Sequence, residues 1–152
     1  VGAGKGCIGL YLGIQNVVRN VLLTDKNEQA LAVAAANARL NGLESKCSFS
    51  TDNAWGDEAR TVVANLPQNS NIEACGEDGS AIQRMVIEEL SEQNLIALYV
   101  KDISYAAATV TQSYVTDRYN VQRIGRAYGR KPNNAPGAEI AEAQYFRLTP
   151  KN

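Results

Sequence analysis

The amino-acid sequence predicts an α/β domain in which a mainly parallel sheet is flanked by helices and closed by a C-terminal antiparallel hairpin. Three observations predict it. Short apolar and β-branched runs at 21–24, 47–50, 61–64 and 95–100 each deliver the chain to polar residues, helical periodicity fills most of the stretches between them, and a Pro-Gly-Asn segment joins the last two runs. Alternating strands and helices imply right-handed βαβ crossovers, which place the carboxyl ends of the parallel strands, where sites are built, along one edge.

The elements follow in order. Gly2-Ala3-Gly4-Lys5-Gly6 opens a helix through Ile8, Leu10 and Leu12, and glycines at such a turn let backbone approach a nucleotide-like ligand. Val21 to Thr24 is a buried parallel strand ending at Asp25. Asn27 caps the next helix, Leu31, Ala35 and Ala38 recur on one face, and Asn41-Gly42 stops it. Cys47 to Ser50 and Thr61 to Ala64 are short strands that lead to Asp52-Asn53 and to Asn65. From Asp78 a helix sets Ile82, Met85, Val86 and Leu90 on one face. Leu95 to Val100 is too short for a helix and reads as a strand covered on both faces. A further helical stretch spans Tyr105 to Arg118, and Val121–Tyr128 and Ala143–Leu148 form the hairpin around Pro132 to Gly137.

Composition narrows the chemistry. The 152 residues suit one domain, 1–152, and 45% hydrophobic residues fill a core without metal or disulfide staples. With no histidine, Ser-His-Asp triads, Cys-His pairs, histidine zinc sites and imidazole acid–base catalysis are excluded. Cys7, Cys47 and Cys75 form no CxxC, so they read as reduced intracellular thiols and no metal site is expected. No apolar stretch approaches the roughly 18 residues of a membrane span and no basic-then-apolar leader opens the chain, so no membrane partner and a cytoplasmic setting are expected.

Asp25 lies 19 residues after Gly6 at the end of the next strand, where a carboxylate can accept from both hydroxyls of a ribose; its other reading is a helix N-terminal charge beside Asn27 and Glu28. The dinucleotide fingerprint would need glycine at position 7, which is Cys7.

In this order the motifs resemble class I S-adenosylmethionine-dependent methyltransferases, in the small-domain branch that includes release-factor glutamine and ribosomal RNA guanine N-methyltransferases. VGAGKGCIGLYLG is similar to the family's first motif, and LLTDKNEQALAVAAANARLNGL to its second strand, ribose-binding acid and following helix. FSTDNAW resembles the adenine loop, VVANLPQ the fourth motif and GEDGSAIQRMVIEEL the helix after it. The resemblance covers about residues 1 to 100 and implies a Rossmann-like fold and S-adenosyl-L-methionine as cofactor. By it, Gly2, Gly4 and Gly6 approach the methionine and ribose, Asp25 holds the ribose hydroxyls, Asp52 with Asn53 meets the adenine amino group, and Asn65-Leu66-Pro67-Gln68 is the catalytic loop. The implied acceptor is a planar amino or amide nitrogen, in a protein glutamine of a release factor or ribosomal protein, or in an RNA or DNA base.

The chemistry accounts for the loop's residue types. Methyl transfer from a sulfonium is an in-line displacement, so the nitrogen lone pair must be held about 3–3.5 Å from the methyl carbon. The side-chain carbonyl of Asn65 and the main-chain carbonyl of Leu66 can accept the two N–H bonds of the amino group, and Pro67 stiffens the loop.

Two departures carry expectations. Gln68 replaces an aromatic ring that stacks on a flat substrate, a contact worth roughly 1–3 kcal/mol for a base. The family also sets a first strand with a terminal acid ahead of the glycines, and the residues given hold none; the expectation is a domain truncated before the glycine motif, with weak cofactor binding unless such a segment completes the sheet. Two other classes stay open: a catalytically silent methyltransferase-like scaffold, and a nicotinamide-dependent oxidoreductase. Arg118, Arg123, Arg126, Arg130 and Lys131 read as a solvated hairpin whose charges block edge-to-edge pairing, because the whole chain balances to −1. Trp55, Tyr145 and Phe146 read as packing rather than a stacking platform.

Overall fold

The computed structural model describes residues 1–52, 61–65, 79–102, 112–130 and 140–152. The chain divides into two compact units, Val1–Ala59 and Arg60–Asn152.

The first unit runs α1 (Cys7–Ile14), β1 (Val21–Thr24), α2 (Glu28–Leu40) and β2 (Cys47–Ser50). The Asn27 side chain starts α2 as expected, accepting from the N–H groups of Gln29 at 3.0 Å and Ala30 at 3.1 Å. Gly42, at φ 68°, turns the chain away after the helix. β1 and β2 pair in parallel, from Val21 beside Cys47 to Thr24 beside Ser50. Leu10, Leu23, Leu31, Ala34, Ala38 and Leu43 form the core between the helices and the strands. The buried stripe of α2 therefore passes through Ala34, not Ala35, which is half-buried.

α1 departs further from its predicted pattern. Ile8 is 41% exposed, whereas Gly9 and Gly13 face inward: a Cβ on Gly9 would stand 3.0 Å from Val21 Cγ1, and one on Gly13 3.3 Å from Leu43 Cδ1. Missing side chains are what let this helix lie close against β1.

The second unit runs β3 (Thr61–Ala64), α3 (Gly79–Glu92), β4 (Ile96–Asp102), α4 (Ser113–Thr116), β5 (Tyr119–Arg130) and β6 (Ile140–Pro150). Its sheet has the order β3-β4-β6-β5, with β3 and β4 parallel and the remaining pairs antiparallel. The fold is Rossmann-like α/β, as expected, with parallel strands and a closing antiparallel hairpin. The parallel pairs are β1-β2 in the first unit and β3-β4 in the second.

α3 buries Gln83, Val86, Ile87 and Leu90, while Met85 is 41% exposed. The expected face was offset by about one residue. Ile87 takes the place assigned to Met85, and Gln83 shares the buried side. The helix expected from Tyr105 to Arg118 is, among the described residues, only Ser113–Thr116; residues 105–111 lie outside them. By Tyr119 the chain is already in β5, paired with Pro150 and 1% exposed, so tertiary burial ends the helical pattern. Phe146 is buried in packing as expected; Trp55 lies outside the described residues. Cys7 and Cys47 are free thiols, and no helix among the described residues is long and apolar enough to cross a membrane.

Candidate functional site

The glycine turn and the tips of β1 and β2 are tied into one polar cluster. Ala3 N–H donates to the Thr24 carbonyl at 2.9 Å, so the turn continues beside the end of β1, and Gly6 N–H closes the turn on the Ala3 carbonyl at 2.8 Å. Asp25 then binds it from below. Its Oδ2 accepts from Gly4 N–H at 2.7 Å and its Oδ1 from Asn27 N–H at 2.9 Å. The Asp25 N–H in turn donates to the Ser50 carbonyl at 3.2 Å, and Asp52 N–H donates to Ser50 Oγ at 3.1 Å. Gly2, Gly4, Gly6, Asp25 and Asp52 are thereby brought together within the first unit.

The three glycines are not equivalent. Gly2 and Gly4, at φ 58° and 52°, would each carry a Cβ into open space, so backbone there is accessible. Gly6, at φ 86°, caps α1, and a Cβ on it would meet Leu10 at 3.0 Å and Ala34 and Leu23 at 3.1 Å. Its hydrogen atom is what lets α1, α2 and β1 converge beneath the turn. An ionised carboxylate offers about four acceptor positions, of which the Gly4 and Asn27 N–H groups take two on Asp25, and its charge also faces the Val1 ammonium.

Sequence reasoning placed Asp25 by its spacing but missed its bond to Gly4, which the spacing does not encode. It also missed Asn37, whose amide donates to the Lys5 carbonyl at 3.0 Å and ties the glycine turn to α2 across 32 residues. The stripe Gly6, Gly9 and Gly13 had a legible signal in its helical spacing.

Asn65 follows the buried Ala64 at the carboxyl end of β3 and is exposed. Asn53, Leu66, Pro67 and Gln68 lie outside the described residues. The Cys47 thiol, half-buried in β2, is pushed up from its ordinary pKa by desolvation, with Lys46 opposing. Among the described residues no group of three or more Cys, Asp or Glu side chains comes together as a metal site. A shallow groove on α3, about 370 Å³ and lined by Arg84, Met85, Glu88, Glu89 and Glu92, includes none of the predicted site residues.

A family model described as methyltransferase small domain matches residues 1–93. A candidate RNA methyltransferase from Pyrococcus horikoshii is similar in structure, with TM-score 0.70 and 14% identity over 100% of this chain and 73% of that one. A precorrin-6y C5,15-methyltransferase from Geobacter metallireducens gives TM-score 0.62 and 12% identity over 99% and 77%. An RNA methyltransferase from Salinibacter ruber, solved with S-adenosyl-L-homocysteine, gives TM-score 0.59 and 13% identity over 99% and 78%. At such identities these likenesses show the fold alone. No curated protein matches.

Proposed function

The chain belongs to the methyltransferase small domain family and is an S-adenosylmethionine-dependent methyltransferase, and on that premise we propose that it methylates a planar amino nitrogen of an RNA base. The nicotinamide alternative falls with the family assignment. One observation carries the nitrogen reading: Asn65 stands exposed immediately past the buried end of β3, ahead of Leu66-Pro67 in the sequence. Two structural neighbours are described as RNA methyltransferases, one of them a candidate, and this supports RNA over a protein glutamine as acceptor.

The residues present fit the cofactor. Gly2 and Gly4 leave backbone open to a ligand, and Asp25 sets a carboxylate at the end of β1, a group that suits a vicinal diol. In this proposal these residues hold the methionine and ribose, Gly6 supports them from the core, and Asp52 with Asn53 receives the adenine. When bound, S-adenosylmethionine supplies a methyl carbon on a positively charged sulfur. The task left to the protein is orientation. The Asn65 carboxamide oxygen and the Leu66 carbonyl accept the two amino N–H bonds, Pro67 holds those acceptors still, and the nitrogen lone pair is aimed at the methyl carbon. Residues 1–152 act in this reading as one catalytic domain.

The test replaces Asn65 by Ala and follows transfer of labelled methyl groups from S-adenosylmethionine to RNA. A loss on the order of 100-fold in kcat is expected, with S-adenosylhomocysteine affinity unchanged. Transfer at an unaltered rate would show that Asn65 positions nothing, and methylation of Asn65→Ala and wild type alike on protein only would redirect the acceptor.

A further inference from the structure

We propose that Tyr145, on the outer face of the β3-β4-β6-β5 sheet, is a stacking platform for an RNA base near the one presented at Asn65, with Arg147 beside it as a phosphate contact. The proposal rests on the RNA reading above and adds where the strand lies.

Register is the first argument. Successive rows of paired residues alternate between the two faces of a sheet. Val62, Ala97 and Leu148 form one row and are all buried; Ala64 and Phe146, joined through Tyr99, form another and are buried as well. The row between them faces the other way, leading from Val63 through Leu98 to Arg147 and Gln122, and both of these are exposed. Asn65 follows Ala64 and is level with Val100, which pairs with Tyr145. Exposed Asn65 and half-buried Tyr145 therefore share the outer face with Arg147, while Phe146 turns into the core. The two adjacent aromatics, read alike from the sequence, stand in different surroundings.

Position is the second. Two inter-strand spacings, about 10 Å, separate the place of Asn65 beside β3 from Tyr145 on β6. The ring reaches further still. Tyr145 pairs with Gly125 beside the irregularity of β5, and a Cβ on Gly125 would lie 3.7 Å from Tyr145 Cδ2, with no other described residue beyond its chain neighbours within 4 Å. Glycine thus leaves the ring uncovered by a cross-strand side chain. At that distance the ring meets not the base held at Asn65 but one a nucleotide or two along, splayed out as single-stranded RNA allows. The stacking that Gln68 withholds from the target is offered to its neighbour.

Charge is the third. Arg147 stands two residues along β6 from Tyr145, about 7 Å away on the same face. Asp102 pairs with Ala143, two residues from Tyr145 in the opposite direction, so the ring row lies between the cation and the acid. The formal −1 hides a division: residues 1–116 carry eight cations against thirteen carboxylates, a net of −5, and residues 117–152 carry seven against three, a net of +4. Whole-chain balance therefore does not argue against a polyanion on this sheet.

The test measures binding of a short fluorescein-labelled single-stranded RNA to the full chain by anisotropy over a range of salt, with no cofactor. Tyr145→Leu fills much of the same space without a π face; it is expected to raise Kd about tenfold and to leave the slope of log affinity against log salt unchanged. Tyr145→Phe keeps the ring and should bind within about twofold of the wild type. Arg147→Gln should flatten the slope by about 0.7, one phosphate contact on a single strand. Wild-type affinity in Tyr145→Leu, an equal loss in Tyr145→Phe, or an unchanged slope in Arg147→Gln would overturn the proposal and leave the RNA reading intact. A wild type that binds no RNA would remove both.

Discussion

At the scale of single residues, Asp25 ties the proposed ribose site to the structure. Its carboxylate accepts the Gly4 and Asn27 N–H groups on separate oxygens, so Asp25→Asn keeps one acceptor and sets an NH2 against the other N–H. We expect a stability loss of about 1–3 kcal/mol and at least tenfold weaker S-adenosylhomocysteine binding; denaturant melts and titration check both, and unchanged affinity would remove the diol role. The glycines divide the same way. Gly6→Ala should destabilise by on the order of 2 kcal/mol or more, because positive φ and the Leu10, Leu23 and Ala34 contacts both oppose a methyl group. Gly4→Ala, strained but unhindered, should cost about 1 kcal/mol and act mainly on the ligand. Thr24 presents the opposite case. Its hydroxyl is buried with no hydrogen-bond partner, so Thr24→Val should be neutral or raise stability by about 1 kcal/mol, and a clear loss would reveal a missed partner.

At the scale of elements, the sheet–helix contact of the second unit predicts a pH response. Tyr119 opens β5, is almost wholly buried, and lies 3.5 Å from the Ile87 carbonyl of α3. Burial pushes its phenol up to about 12, with a Ser91 hydrogen bond and Arg118 opposing. The folded pKa exceeds the unfolded value near 10, so the stabilisation is complete below about pH 10 and is lost as pH rises towards 12, at about 1.4 kcal/mol for each unit of separation. Alkaline unfolding of Tyr119→Phe should show a shallower fall over that range; an identical profile would mean the phenol does not titrate with unfolding. Which elements were legible follows the same physics. α2 was legible because Asn27 and Gly42 punctuate it, and β1 to β3 because four-residue runs that end at polar residues are too short for helices. The helical stretch before Tyr119 was legible at Ser113–Thr116 but not in its interruption at Gln112, which is extended. α1 was only partly legible because its buried side combines Leu10 with glycines, which apolar periodicity does not count.

At the scale of the whole molecule, family and cofactor class were legible because the motifs occur in a fixed order along the chain. The distribution of charge was not, since a sum of −1 conceals two opposed segments. Nor was the division of Tyr145 from Phe146, neighbours whose faces only the pairing through β4 to β3 tells apart. The acceptor is the least sequence-determined part: the same fold serves a precorrin methyltransferase and RNA methyltransferases, so substrate choice rests on loops and surface charge rather than on the sheet.

The most direct measurement is a two-dimensional amide NMR titration of the isotopically labelled chain with S-adenosylhomocysteine, which reads location even when affinity is low. The expected result is a set of shifts concentrated at Gly2, Gly4, Asp25 and Asp52, with Gly42 and Lys151 unmoved. Saturating ligand that leaves the first four signals in place, or moves instead the lining of the α3 groove at Arg84 and Glu88, would contradict the assignment of the cofactor to the glycine turn.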